Sequence, residues 1–72
     1  MGEAMSVPVA VAVLRNFLIE EKRDEFRLDF SNALQQCPDF DIEDVFKKAA
    51  TVLGIEIVVQ VEGTRARILK MI

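Results

Sequence analysis

IEIVVQVEGTRARILKMI, residues 55–72, alternates in the manner of a β-hairpin whose two arms agree about the buried face. A two-residue turn at Glu62-Gly63 opposes Val61 to Thr64, Val59 to Ala66 and Ile57 to Ile68, all on one face. The other face carries Glu56, Val58, Gln60, Arg65, Arg67 and Leu69. Gly in second place supplies the positive φ that tight hairpin loops require. A one-residue slip would set Ile57 and Val59 against the arginines, so the pattern resists it. An isolated hairpin is marginal in water, so this one must lean on the residues before it.

Those residues read as helical. Asp41 begins a helix, with Asp44 three residues on approximating a capping box, and Gly54 occupies the left-handed cap position before the hairpin. Its apolar face is Ile42, Val45, Phe46, Ala49, Val52 and Leu53. A shorter helix spans Ser31 to Gln36, capped by Asp29 or Ser31 and stopped by Pro38, with Phe30, Leu34 and Cys37 turned inward. Phe26, Leu28 and Phe30 alternate, which suits a short strand around Arg27 to Leu28.

The first helix starts after Ser6, with Pro8 in its first turn, and runs toward Lys22. Val7, Val11, Leu14, Phe17 and Leu18 form its stripe, and Val9, Val13 and Ile19 widen it. A strand over Pro8 to Leu14 competes, because Val alternates there, but strong helix formers continue the pattern through Arg15 to Lys22. The expected core is Leu14, Phe17, Leu18, Leu28, Phe30, Leu34, Val45, Phe46, Ala49, Leu53, Ile57, Val59 and Ile68. Residues 1–5 read as a start plus linker or an expression scar, and residues 6–72 as one domain.

Composition bounds the chemistry. The chain has 72 residues, 51% hydrophobic and 29% charged, which is globular and not disordered. A net charge of −3 disfavours a general nucleic-acid surface, since duplex affinity comes mostly from cations displacing counterions. His is absent and Cys37 is the one cysteine, so no internal disulfide, thiolate metal site or His-based catalyst can be assembled. This points to an intracellular setting, nuclear or cytoplasmic. Val7 to Leu14 is too short to span a bilayer, and Glu3 precedes it where a secretory leader would carry basic residues.

No catalytic motif is present: the three glycines are scattered, and Cys37 beside Pro38 reads as a small buried hydrophobe. Asp39, Asp41, Glu43 and Asp44 lack the loop and closing Glu of a calcium hand, and acids at a helix start complement its dipole. We expect no cofactor, no metal, no catalytic residue and no small-molecule substrate.

Three helices followed by a C-terminal hairpin, with a short strand between the first two, is an α+β winged-helix order. Residues 42–72 resemble the C-terminal winged-helix domains of the MCM replicative helicase subunits, through Val45, Ala49, Leu53, Ile55 to Val61, Gly63 and Ile68 to Ile72. Val11 to Phe17 and Asp29 to Gln36 fit the first two helices of that module. The resemblance implies a non-catalytic appendage of a DNA-replication ATPase, contacting loader proteins or regulating the motor.

In such a fold the third helix meets DNA and the wing reaches the backbone. Here that helix opens with acids, so the leading expectation is a protein partner bound by Phe40, Asp41, Glu43 and Asp44. A role for Phe40 as a staple of the helix start, packing on Val45 or Phe46, competes with that contact. The alternative is direct DNA or RNA binding through Lys47, Lys48, Arg65 and Arg67. Cross-strand pairing of the two arginines with Glu56 competes with that role.

Overall fold

Gly63 and Thr64, not Glu62 and Gly63, make the hairpin loop. The computed structural model describes residues 6–71, so the reading of residues 1–5 lies outside them. β2 (Ile57–Glu62) and β3 (Arg65–Lys70) pair antiparallel with Glu62 opposite Arg65, Gln60 opposite Arg67, Val59 opposite Ile68 and Val58 opposite Leu69. This register is two residues from the expected one, which leaves every side chain on its expected face. The expected pairing would have set Val58 against Arg67; the observed one sets apolar against apolar and Glu62 against Arg65. Gly63 has φ 62 and Thr64 is not in the positive region, so the glycine serves the first loop position, as a II′-type turn demands.

The inferred strand before the second helix is real and longer than expected. β1 (Glu25–Asp29) pairs antiparallel with β3, giving a three-stranded sheet in the order β1-β3-β2. The C-terminal strand is therefore the central one, held on both sides.

α1 (Val7–Leu14) continues as a π-helical segment, Arg15–Glu20. Helix wins over strand for the valine run, and Ser6 occupies the cap position without a side-chain bond. Ala10, Leu14 and Leu18 are buried at successive spacings of four. Four residues overshoot an α-turn by roughly 40°, and the wider π winding turns Leu18 back beneath Leu14. Beyond the segment the chain turns at Lys22, which takes φ 57, while the Arg23 N–H donates to the Phe17 carbonyl at 2.9 Å. Phe17 then stacks on Phe26 of β1, with centroids 4.8 Å apart.

α2 (Ser31–Gln36) has the expected bounds, and Asp29 Oδ1 accepts the Ser31 N–H at 2.8 Å. α3 (Ile42–Leu53) is capped at both ends as its sequence requires: Asp41 Oδ1 accepts the Asp44 N–H, and Gly54 takes φ 71. α1 packs across α3, and α3 against β2.

The core gathers Leu14, Leu18, Phe26, Phe30, Ile42, Phe46, Ile57 and Ile68, with Ala10, Ala33, Ala49, Ala50 and Ala66 between them. Phe17, Leu28, Leu34, Val45, Leu53 and Val59 pack at its margin, half-buried. Three expectations fail. Val9 and Ile19 are exposed, because the first helix and its π-helical continuation bury one stripe only. Val52 is exposed too, since the buried face of α3 turns toward Ala50, which lies roughly 200° round the helix from it. Cys37 is exposed, since α2 ends before it and extended backbone turns its side chain outward.

Candidate functional site

Two outward faces hold the sequence-predicted residues. The first is the solvent side of α3. Because Asp41 caps the helix with its carboxylate, Glu43 and Asp44 fall in the first turn, where the helix dipole favours them. One turn later the lysines meet them. Lys47 Nζ lies 3.3 Å from Glu43 Oε2, and Lys48 Nζ 3.0 Å from Asp44 Oδ2. Two partner-site acids and two nucleic-acid-site cations are thus neutralised in pairs on one helix. Thr51 donates its hydroxyl back to the Lys47 carbonyl at 3.0 Å.

Phe40 sits at the edge of this face, half-buried, with Phe30 as its aromatic neighbour at 6.1 Å between centroids. Its N–H donates to the Cys37 carbonyl at 2.9 Å, which fixes the short link between α2 and α3. The residue anchors the turn and still shows part of its ring.

The second face is the outer side of the sheet, whose registers stack charges in rows across three strands. Asp29, Arg65 and Glu62 form one row, Arg27, Arg67 and Gln60 the next, and Glu25, Leu69 and Val58 the third. Arg27, Gln60, Glu62, Arg65 and Arg67 line a shallow dish here. Arg67 stands beside Arg27, a like-charge neighbour, and turns its guanidinium diagonally to Glu25 instead. Nε donates to Oε2 at 2.9 Å while Nη2 donates to Oε1, a bidentate pair. The expected partner, Glu56, is not used.

These contacts tune the carboxylates. The Arg67 hydrogen bonds hold the Glu25 carboxyl below its ordinary value, and Glu25 in turn pushes the Arg67 guanidinium up. Asp29 is held down chiefly by the Ser31 backbone N–H, then by the Ser31 hydroxyl, with Arg65 adding to it.

Glu25 and Arg27 escaped the sequence reading. The signal was there: charged residues at 25, 27 and 29 interleave with apolar ones at 26, 28 and 30. Arg65 and Arg67 share the sheet face as expected, but Lys47 and Lys48 belong to the helix, so the four cations do not form one cluster. Among the described residues no three acidic or cysteine side chains are gathered as metal ligands. No described helix is long and apolar enough to cross a membrane.

No known protein family, curated protein or solved structure matches the chain.

Proposed function

We propose that this domain is a non-catalytic winged-helix interaction module that binds a protein partner within a nucleic-acid-processing or regulatory assembly. Its element order of helix, strand, helix, helix, strand and strand, with β3 between β1 and β2, supports that fold reading. The observation that carries the functional reading is charge pairing. Lys47, Lys48 and Arg67, three of the four cations offered to phosphate, are each held by a carboxylate of the same domain. A polyanion approaching α3 would first meet Asp41, Glu43 and Asp44, whereas a protein surface bearing a few cations can exchange partners with them. Phe40 adds an aromatic contact beside these acids. A place on a replication ATPase of the MCM kind, in the nucleus or cytoplasm, agrees with this reading.

Reversing charge at the helix start tests it. Glu43→Lys with Asp44→Lys should abolish capture of the partner while leaving the sheet amides unshifted. Unchanged capture would remove this surface from consideration.

One observation favours the second reading, direct DNA or RNA binding. Arg65 forms no ion pair among the described residues, and neither does its neighbour Arg27. If the wing touches phosphate, duplex affinity should fall steeply with added salt and drop when Arg65 and Arg67 become Ala. We expect no measurable duplex binding at low salt.

A further inference from the structure

The free edge of β2 is unguarded. Its ladder with β3 is unbroken from Ile57 to Glu62, and the strand contains no Pro, no Lys and no bulge. Sheets ordinarily protect an edge with one of these devices. The opposite edge, β1, is protected by charge instead, with Glu25, Arg27 and Asp29 at its outer-face positions, where β2 has Glu62 alone.

The hydrogen-bond pattern shows which groups of β2 are open. The Lys70 N–H donates to the Asp24 carbonyl on the β1 side at 2.8 Å, and the Met71 N–H to the Glu56 carbonyl on the β2 side at 2.9 Å. Successive residues of the central strand therefore serve opposite neighbours. Carried along the ladder, this alternation joins Leu69 to Val58, Arg67 to Gln60 and Arg65 to Glu62. The N–H and C=O groups of Ile57, Val59 and Val61 consequently point away from β3, and no described group bonds to them. Val58 on the outer face and Val61 on the inner are 37% and 52% exposed, an apolar rail on each side of this open backbone.

We propose that this edge accepts an extended segment of a different protein as an added antiparallel strand, with the side-chain order cation, apolar, polar, apolar, apolar. The charge rows set that order. The row of Asp29, Arg65 and Glu62 holds two acids to one base, and Glu62 forms no ion pair among the described residues, so the position beyond Glu62 takes a cation. The row ending in Gln60 continues with a polar residue, and the row ending in Val58 with an apolar one. Inner positions beside Val61 and Val59 extend the apolar underside. β3 itself, Arg65-Ala66-Arg67-Ile68-Leu69, meets this order on the other side of β2.

A second copy of the chain fits poorly. Its β3 is already bonded on both sides. Its β2, paired symmetrically about Val59, would oppose Glu56 to Glu62, and about Gln60 would oppose Glu62 to Val58. Paired about Val58 it would match the valines but set Gly54, the α3 cap, and not a cation against Glu62, with the Ile55 N–H already given to the Ala50 carbonyl. Its β1 brings a charged residue wherever Val58 asks for an apolar one. Strand addition of this kind draws affinity from main-chain bonds and specificity from alternate side chains.

The test uses the whole chain, isotope-labelled, and the peptide acetyl-Arg-Val-Thr-Ile-Leu-Lys-amide. Amide shifts should centre on residues 57–62, and exchange at Ile57, Val59 and Val61 should slow at least about tenfold at saturation. Replacing the peptide's Arg by Glu should weaken binding about two- to fivefold. Val61→Pro removes an outward N–H without touching the β3 ladder, and Val58→Lys puts a charge beside the edge. Each should lower affinity at least about tenfold. Val58→Lys alters one exposed side chain, so it decides the matter if Val61→Pro unfolds. No shifts at about 1 mM peptide, shifts centred on α3, undiminished binding by Val58→Lys, or a dimer that occupies the edge would each overturn the proposal.

Discussion

The solvent face of α3 and the outer face of the sheet carry similar side chains but resolve their charges over different distances. On α3 each ion pair closes within four residues, Glu43 to Lys47 and Asp44 to Lys48. On the sheet, Glu25 and Arg67 are separated by 42 positions and meet only because β1 docks on β3. The helix face is a local property of its sequence, whereas the sheet face exists only in the folded domain. A partner that reads α3 reads a peptide-like surface; one that reads the sheet reads tertiary structure.

The largest expected effects come from removing the anchors beneath each face. Phe46 under α3 and Ile68 in the central strand are both fully buried. Phe46→Ala should cost about 3–5 kcal/mol and Ile68→Ala about 2–5 kcal/mol in urea unfolding. A domain of this length has total stability on the order of 5 kcal/mol, so either variant should be largely unfolded. Loss of α3 protection with the hairpin intact would show that the two layers are separable.

Smaller effects should follow at the local devices that start each face. Asp41→Ala removes the α3 cap and should cost about 1 kcal/mol. Gly63→Ala forces a side chain into positive φ at the hairpin loop, where space is open, and should cost about 1–2 kcal/mol. Thermal melts of the two variants compare the helix start with the turn directly.

Acid should act on the sheet face. Glu25 and Asp29 have folded values depressed from 4.5 and 3.8, so their contribution is fully present above those values and disappears as pH falls through the lower folded ones. Glu25→Gln with Asp29→Asn should flatten the acid limb of the stability curve; an unchanged limb would assign it to other carboxylates. The smallest effect belongs to the exposed α3 pairs. Lys47→Ala and Lys48→Ala should each change stability by about 0.2–0.5 kcal/mol, vanishing in high salt.

What could be read from sequence follows the same division. α3 was legible at both ends because Asp41, Asp44 and Gly54 act on backbone groups within a turn of themselves. The hairpin faces were legible because alternation fixes them, but a two-residue slip preserves alternation, so the register was not. Cross-strand chemistry, Val58 with Leu69 and Glu62 with Arg65, decides it. Phe26 hid in a charged stretch, and Ala10 and Ala50 gave no signal by size, whereas Ala49 was found from its place on the α3 stripe. At the candidate site, the residues of α3 were found but not their mutual pairing. On the sheet face Arg65 and Arg67 were found, while Glu25 and Arg27 needed the third strand before they could be placed.

The wide winding between Arg15 and Glu20 amounts to slack in an otherwise taut rod. Removing one residue there, for instance exposed Ile19, would let the rod rewind tightly and rotate Phe17 off Phe26. Deletion of that exposed residue would therefore re-aim the sheet against the helices without substituting a single core side chain.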